Sequence, residues 1–95
     1  MAKVNMNLGQ ILMTAGISNM IEQSEQFAKF CAKILKRYAR CDWGDTCMED
    51  KVANYYAVTN GGERVVAKYN STEEPVFIIT EWDRSYTTIM FASEY

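Results

Sequence analysis

Residues 23–40 constrain this chain more than any other stretch. Phe27, Phe30, Cys31, Ile34, Leu35 and Tyr38 recur at helical spacing, the signature of one apolar stripe on an α-helix. Such a stripe is stable in water only when something covers it, so the rest of the chain must supply a complementary apolar surface. The remaining sequence reads mostly as strands. Residues 64–69, 76–82 and 86–91 are short apolar runs, separated by the polar stretch 70–75 and by Asp83-Arg84-Ser85, which reads as a tight hairpin. The run 76–82 is almost continuously apolar and belongs in the middle of a sheet.

Two further helices and a strand complete the expectation. Residues 8–13 are an apolar run closed by Thr14-Ala15-Gly16 and read as a short strand, after which Ser18 is placed to cap a brief helical turn through Ile17, Met20 and Ile21. Asp42-Trp43-Gly44-Asp45 breaks the long helix, with Trp43 placed to plug the end of the core. Thr46-Cys47-Met48-Glu49 then fits a capping box that starts the next helix. Val52, Tyr55, Tyr56 and Thr59 make its expected inner stripe, and Asn60-Gly61-Gly62 ends it with Gly61 in the left-handed region. The order is β-α-α-βββ: an α+β fold with a short N-terminal strand and two main helices packed on one face of a three- to four-stranded antiparallel sheet. Residues 1–95 form a single domain, since a chain this short builds one core.

Charge and residue usage narrow the function. The chain has no histidine, so neither a Ser-His-Asp nor a Cys-His site can be assembled within it. Net charge is −2 and the pI near 5.0, too mild for a DNA mimic and without the basic excess of a dedicated nucleic-acid binder. Cys31, Cys41 and Cys47 are odd in number and lack the paired spacing of structural zinc sites. With a polar opening, Met-Ala-Lys-Val-Asn-Met-Asn, and no apolar run of membrane-spanning length, they predict reduced thiols in a cytoplasmic protein. No catalytic residue, metal or cofactor is expected. Glu81 and Asp83 share one strand face and are the best candidates for holding Mg²⁺. An ion pair of Asp83 with Arg84 or Arg64 accounts for them better, because the lysine that nuclease strands place two residues past the acid is missing.

Two surfaces remain as partner-binding candidates. One is the hairpin Trp82, Asp83, Arg84 and Ser85, with Arg84 at the tip pointing outward as an interface anchor beside an exposed tryptophan. The other is a basic ridge on the long helix: Lys29, Lys33, Lys36 and Arg40, with Arg37 beside them. Five bases against Glu25 give residues 23–40 a charge of +4 and leave −6 for the rest of the chain. That ridge suits nucleic-acid phosphate or an acidic partner, and as a solvated helix face it also needs no ligand.

The block Ile78-Ile79-Thr80-Glu81-Trp82-Asp83-Arg84-Ser85-Tyr86-Thr87-Thr88, with Trp43-Gly44-Asp45, Glu49-Asp50, Asn54, Gly62 and Tyr69, resembles a family of short bacterial and phage proteins. They are carried on plasmids, prophages and integrative elements, and often end in I-T-E-x-D-R-S-x-T-T followed by a terminal E-Y, matched here by Glu94-Tyr95. Leu8-Gly9-Gln10-Ile11 and Thr14-x-Gly16-Ile17 fit the family's opening. Ala92-Ser93 stand where a proline is common before the final Glu-Tyr. The resemblance implies an accessory protein of a mobile element, in a class rich in inhibitors of host defence such as CRISPR–Cas or restriction. It implies no reaction.

Overall fold

A computed structural model describes residues 6–95; the polar opening of the sequence lies in part outside the described residues. The element order is β1 (Gln10–Met13), α1 (Ala15–Gln23), α2 (Glu25–Ala39), α3 (Met48–Asn60), β2 (Val65–Tyr69), β3 (Val76–Thr80) and β4 (Tyr86–Phe91), closed by a 3₁₀ turn over Ala92–Glu94. The fold is α+β, as the alternation of periods predicts.

The sheet runs β1-β4-β3-β2, which puts β3 inside it. β2, β3 and β4 form the antiparallel meander, with Ile78 opposite Ala67 on one side and Ile89 on the other. β1 departs from an all-antiparallel sheet. It pairs parallel to β4, Gln10 opposite Tyr86 and Met13 opposite Ile89. Parallel pairing requires a long crossover, and three helices and two strands intervene here.

α2 lays its stripe on the sheet as expected. Phe27, Cys31, Ile34 and Tyr38 are buried against Val65, Ala67, Tyr69, Val76, Ile78, Ile89 and Phe91, in one core that also takes Ile17 from α1 and Ala57 from α3. Trp43 closes the end of this core, its ring edge-on to Tyr38 at 5.6 Å. A polar chain crosses the interior. Thr87 Oγ1 donates to the Leu8 carbonyl (2.6 Å), so the 2.7 Å contact between the two threonine hydroxyls needs the proton of Thr80. Thr80 in turn accepts from the Tyr38 hydroxyl at 2.7 Å. Burial holds the Tyr38 phenol well above its usual range.

Two helix caps differ from expectation. Thr14, not Ser18, caps α1, its Oγ1 accepting from Ile17 N at 3.4 Å. Cys47 occupies the cap position of α3 without a side-chain bond. The Thr46 hydroxyl is committed elsewhere, donating to the Trp43 carbonyl and accepting from Lys68 N (2.9 Å). Gly61 ends α3 with φ 74, the positive value that glycine adopts freely.

Candidate interaction surface

The outer edge of β2 explains how α3 is placed. An uncovered edge strand exposes unpaired N–H and C=O groups. Here the Asn54 side chain pairs with both groups of one residue: Nδ2 donates to the Val66 carbonyl (2.8 Å) and Oδ1 accepts from Val66 N (3.2 Å). Asp45 N donates to the Lys68 carbonyl at 2.9 Å and Thr46 takes the Lys68 amide, completing the seal. α3 is therefore fixed by an asparagine and by the small buried Ala57.

That anchoring reverses the expected orientation of the helix. Val52, Tyr55 and Tyr56, together with Met48, face solvent and not the core. Met48 is 72% exposed, Tyr55 63%, Tyr56 59% and Val52 48%. At ~100° per residue Met48, Val52, Tyr55 and Thr59 fall on one line, with Glu49 and Tyr56 along one side and Lys51 along the other. Tyr55 and Tyr56 meet edge-on, 5.9 Å between centroids. Sequence reasoning found these residues but assigned them to the interior, because periodicity locates an apolar line without saying what it faces.

The hairpin candidates divide. Asp83 pins the turn, accepting from Ser85 N (3.0 Å) and Ser85 Oγ (2.6 Å), and these bonds hold its carboxyl below the usual range. The expected ion pair of Asp83 with Arg84 or Arg64 does not form. Among the described residues the ion pairs are Lys29–Glu25 and Arg37–Asp42. Arg84 does not point outward. Its guanidinium turns back onto main-chain carbonyls: Nη2 donates to Ala57 (2.9 Å), and Nη1 to Glu63 (2.7 Å), Glu81 (3.1 Å) and Trp82 (3.4 Å). A cation on the last-turn carbonyls of α3 also meets the negative end of the helix dipole. Arg84 thus ties the hairpin to α3, and Trp82 remains the exposed member of the motif at 61%. Glu81 contributes its main chain to this turn, its amide bonding the Tyr86 carbonyl at 3.1 Å.

The basic ridge is present, in altered form. Lys29, Lys33, Lys36 and Arg40 are exposed along α2. Lys29 meets Glu25 at 3.6 Å and Arg40 Nε reaches the Lys36 carbonyl at 3.4 Å. Arg37 is withdrawn from the ridge, since it grips Asp42 through two bonds (2.8 and 3.1 Å) and lies over the Tyr69 ring at 5.4 Å. The Arg37 guanidinium lowers the Asp42 pKa.

The terminal Glu-Tyr is structural as well. Glu94 Oε1 accepts from Thr14 Oγ1 (2.7 Å) and from Phe91 N (2.9 Å), and these bonds lower its pKa. Tyr95 packs on Phe77, ring centroids 5.1 Å apart, and its hydroxyl accepts from Arg64 at 3.0 Å.

Chemistry-bearing arrangements are sparse. Among the described residues no three of Cys, Asp and Glu cluster as metal ligands, and no helix is long and apolar enough to cross a membrane. A groove of about 410 Å³ lies between Met20, Phe27 and Phe30 and the loop at residues 70–73, and Glu73 is the sole titratable group lining it. None of the three cysteines forms a disulfide: Cys31 is buried, with its pKa pushed up to about 11 by burial, Cys41 is half-buried and Cys47 is exposed. Compared with known proteins, the chain matches no protein-family model, no curated protein and no solved structure.

Proposed function

We propose that this chain is a non-enzymatic binding module, an accessory protein of a mobile element or phage that engages and modulates a host defence complex such as CRISPR–Cas or restriction. The observation that carries the binding role is the solvent-facing row Met48, Val52, Tyr55 and Tyr56 on α3. Large apolar and aromatic side chains concentrated on one helix face mark interaction sites, and tyrosine and tryptophan are common anchors. Trp82, on the hairpin that Arg84 ties to α3, extends the candidate surface. Modulation would follow from occlusion of the partner by shape-matched contact. The mobile-element setting is supported by the resemblance of the Thr80–Thr88 block and the terminal Glu94-Tyr95.

The test is a pair of captures from host cytosol, wild type beside the Tyr55→Ala/Tyr56→Ala variant, followed by an interference assay in cells carrying the captured system. The account expects one stoichiometric defence complex with wild type, its loss with the variant, and relief of interference by wild type alone. Equal capture by both chains sinks the α3 assignment. Capture without relief of interference sinks the defence setting. A second reading, a nucleic-acid-binding regulator, draws on the exposed Lys29, Lys33, Lys36 and Arg40. It requires duplex affinity that falls steeply with salt.

A further inference from the structure

The two edges of the sheet differ. Along β2 the main-chain groups of Val66 and Lys68 are taken by Asn54, Thr46 and Asp45. β1 forms the opposite edge. There Gln10 N donates to the Ser85 carbonyl and Thr14 N to the Ile89 carbonyl, both at 3.1 Å. In the parallel register of β1 on β4, these bonds turn the main chain of Gln10, Leu12 and Thr14 towards β4. They turn the main chain of Ile11 and Met13 away from the sheet. Among the described residues no hydrogen bond takes the outward N–H and C=O groups of Ile11 and Met13. The strand is exposed throughout, Ile11 at 37%, Leu12 at 39% and Met13 at 46%. Natural edges are blunted by lysine, proline, a bulge or a covering segment, and β1 carries no lysine, proline or bulge.

We propose that β1 pairs antiparallel with β1 of a second copy of this chain about a two-fold axis at Leu12, joining two four-stranded sheets into one of eight strands. An outward row of N–H and C=O groups two residues apart is matched by another extended main chain, so the edge itself specifies a strand. The residues of β1 specify which strand. With Leu12 on the axis, Ile11 and Met13 of the second copy lie opposite each other's free groups, and all of them are satisfied. The side chains match as well. Ile11 and Met13 lie on the helix-covered face, beside Thr87 and Ile89, so Ile11 meets Met13 of the second copy. On the other face Leu12 meets Leu12 and Gln10 meets Thr14. Charge does not oppose the pairing, since residues 6–21 carry no charged side chain. Asp83 and Glu94, just before and just after β4, are bonded within their own chain to Ser85 and to Thr14 and Phe91. A self-complementary patch is what a two-fold interface requires. The pairing leaves β2 and α3 at the two far ends of the joined sheet, so it stands independently of the α3 reading above.

Sedimentation and light scattering on the full chain read the association. Wild type should approach twice its 10.9 kDa as concentration rises. Leu12→Lys sets two like charges on the axis and should raise the dissociation constant at least ~10-fold, as should Leu12→Glu. Mixing the two variants should restore the dimer, because Leu12 faces its own copy. Tyr55→Lys adds the same charge to the exposed α3 row and should change the constant less than about twofold. Site-resolved amide exchange gives a second readout. The amides of Ile11 and Met13 should be protected in the wild-type dimer and exchange freely in Leu12→Lys. Those of Leu12 and Thr14, bonded to β4, should stay protected in both.

A chain that stays monomeric up to ~1 mM overturns the proposal. Protection of Ile11 and Met13 acquired by such a monomer only with a captured partner replaces the second copy with that partner's strand. A dimer that Leu12→Lys leaves intact and Tyr55→Lys dissolves overturns it in favour of an α3 interface. A mixture of Leu12→Lys and Leu12→Glu that stays monomeric removes the axis from Leu12 and overturns the register. If Leu12→Lys fails to fold, wild type diluted to monomer takes its place. Protection of Ile11 and Met13 that survives that dilution overturns the pairing.

Discussion

Replacing Arg84 with alanine should destabilise the fold, although the residue sits in a hairpin and looks expendable. Its guanidinium serves four carbonyls, of which the bonds to Ala57 and Glu81 are part-buried and those to Glu63 and Trp82 exposed. Water replaces an arginine at the exposed pair with little loss. A hydrogen bond to a charged group nets ~1.5–3 kcal/mol when well buried. Partial exposure reduces each of the inner two to ~1, so the loss is about 2 kcal/mol. Arg84 also holds φ 61, a left-handed conformation that costs a non-glycine residue ~1–2 kcal/mol. Alanine keeps that strain and glycine relieves it. The expected order of stability is therefore wild type, then Arg84→Gly at about 1 kcal/mol below, then Arg84→Ala at about 2. In a domain this size each kcal/mol moves Tm by ~4–8 °C, so alanine should lower it by ~8–16 °C. Urea denaturation followed by tryptophan fluorescence measures both variants. An Arg84→Ala protein within ~0.5 kcal/mol of wild type, the range for solvated surface residues, would refute the carbonyl clamp and restore an outward-facing arginine.

Other outcomes follow from the same contacts. Thr87→Val should destabilise by ~2–3 kcal/mol because it strands the Leu8 carbonyl and the Thr80 proton, whereas Tyr38→Phe removes the hydroxyl at the chain's start, whose proton is shared between Thr80 and the Val65 carbonyl (3.3 Å), at ~1 kcal/mol; paired denaturation curves decide. Asn54→Leu should uncover the β2 edge and cost ~2 kcal/mol or more, with faster hydrogen exchange at Val66. Asp42 and Glu94 have pKa values lowered by folding, so their contribution is present above their ordinary values and lost as pH falls through the folded ones. Tm should accordingly fall on acidification below about pH 4.5, and Glu94→Gln should flatten part of that slope. Under native conditions a thiol reagent should modify the exposed Cys47 first and Cys31 only on unfolding.

The sequence displayed the long helix, the meander and the core residues Phe27, Ile34, Tyr38, Val65 and Ile78 because burial of apolar side chains is what periodicity encodes. α3 was legible as a helix and illegible as a surface. Its inward contacts are made by Asn54, Ala57 and the half-buried Val58, while Met48, Val52, Tyr55 and Tyr56 point away. The direction of β1 was hidden for another reason, since strand period fixes which face a residue takes but not the sense of its neighbour. Arg84 and Thr46 were misplaced because their partners are main-chain carbonyls and amides, which every residue carries and no motif marks. The same logic accounts for much of the C-terminal motif. Thr80, Asp83, Arg84, Ser85, Thr87 and Glu94 all have structural duties, while Trp82 stays exposed beside the α3 row.

Hydrogen–deuterium exchange on the chain alone and in complex with the captured partner tests that surface most directly. The account predicts new protection concentrated on Met48–Asn60 and at the Trp82 turn, with the exposed side of α2 unchanged. Protection confined to Glu25–Ala39, with α3 exchanging as in the free chain, would contradict it and return the basic ridge to the centre of the function.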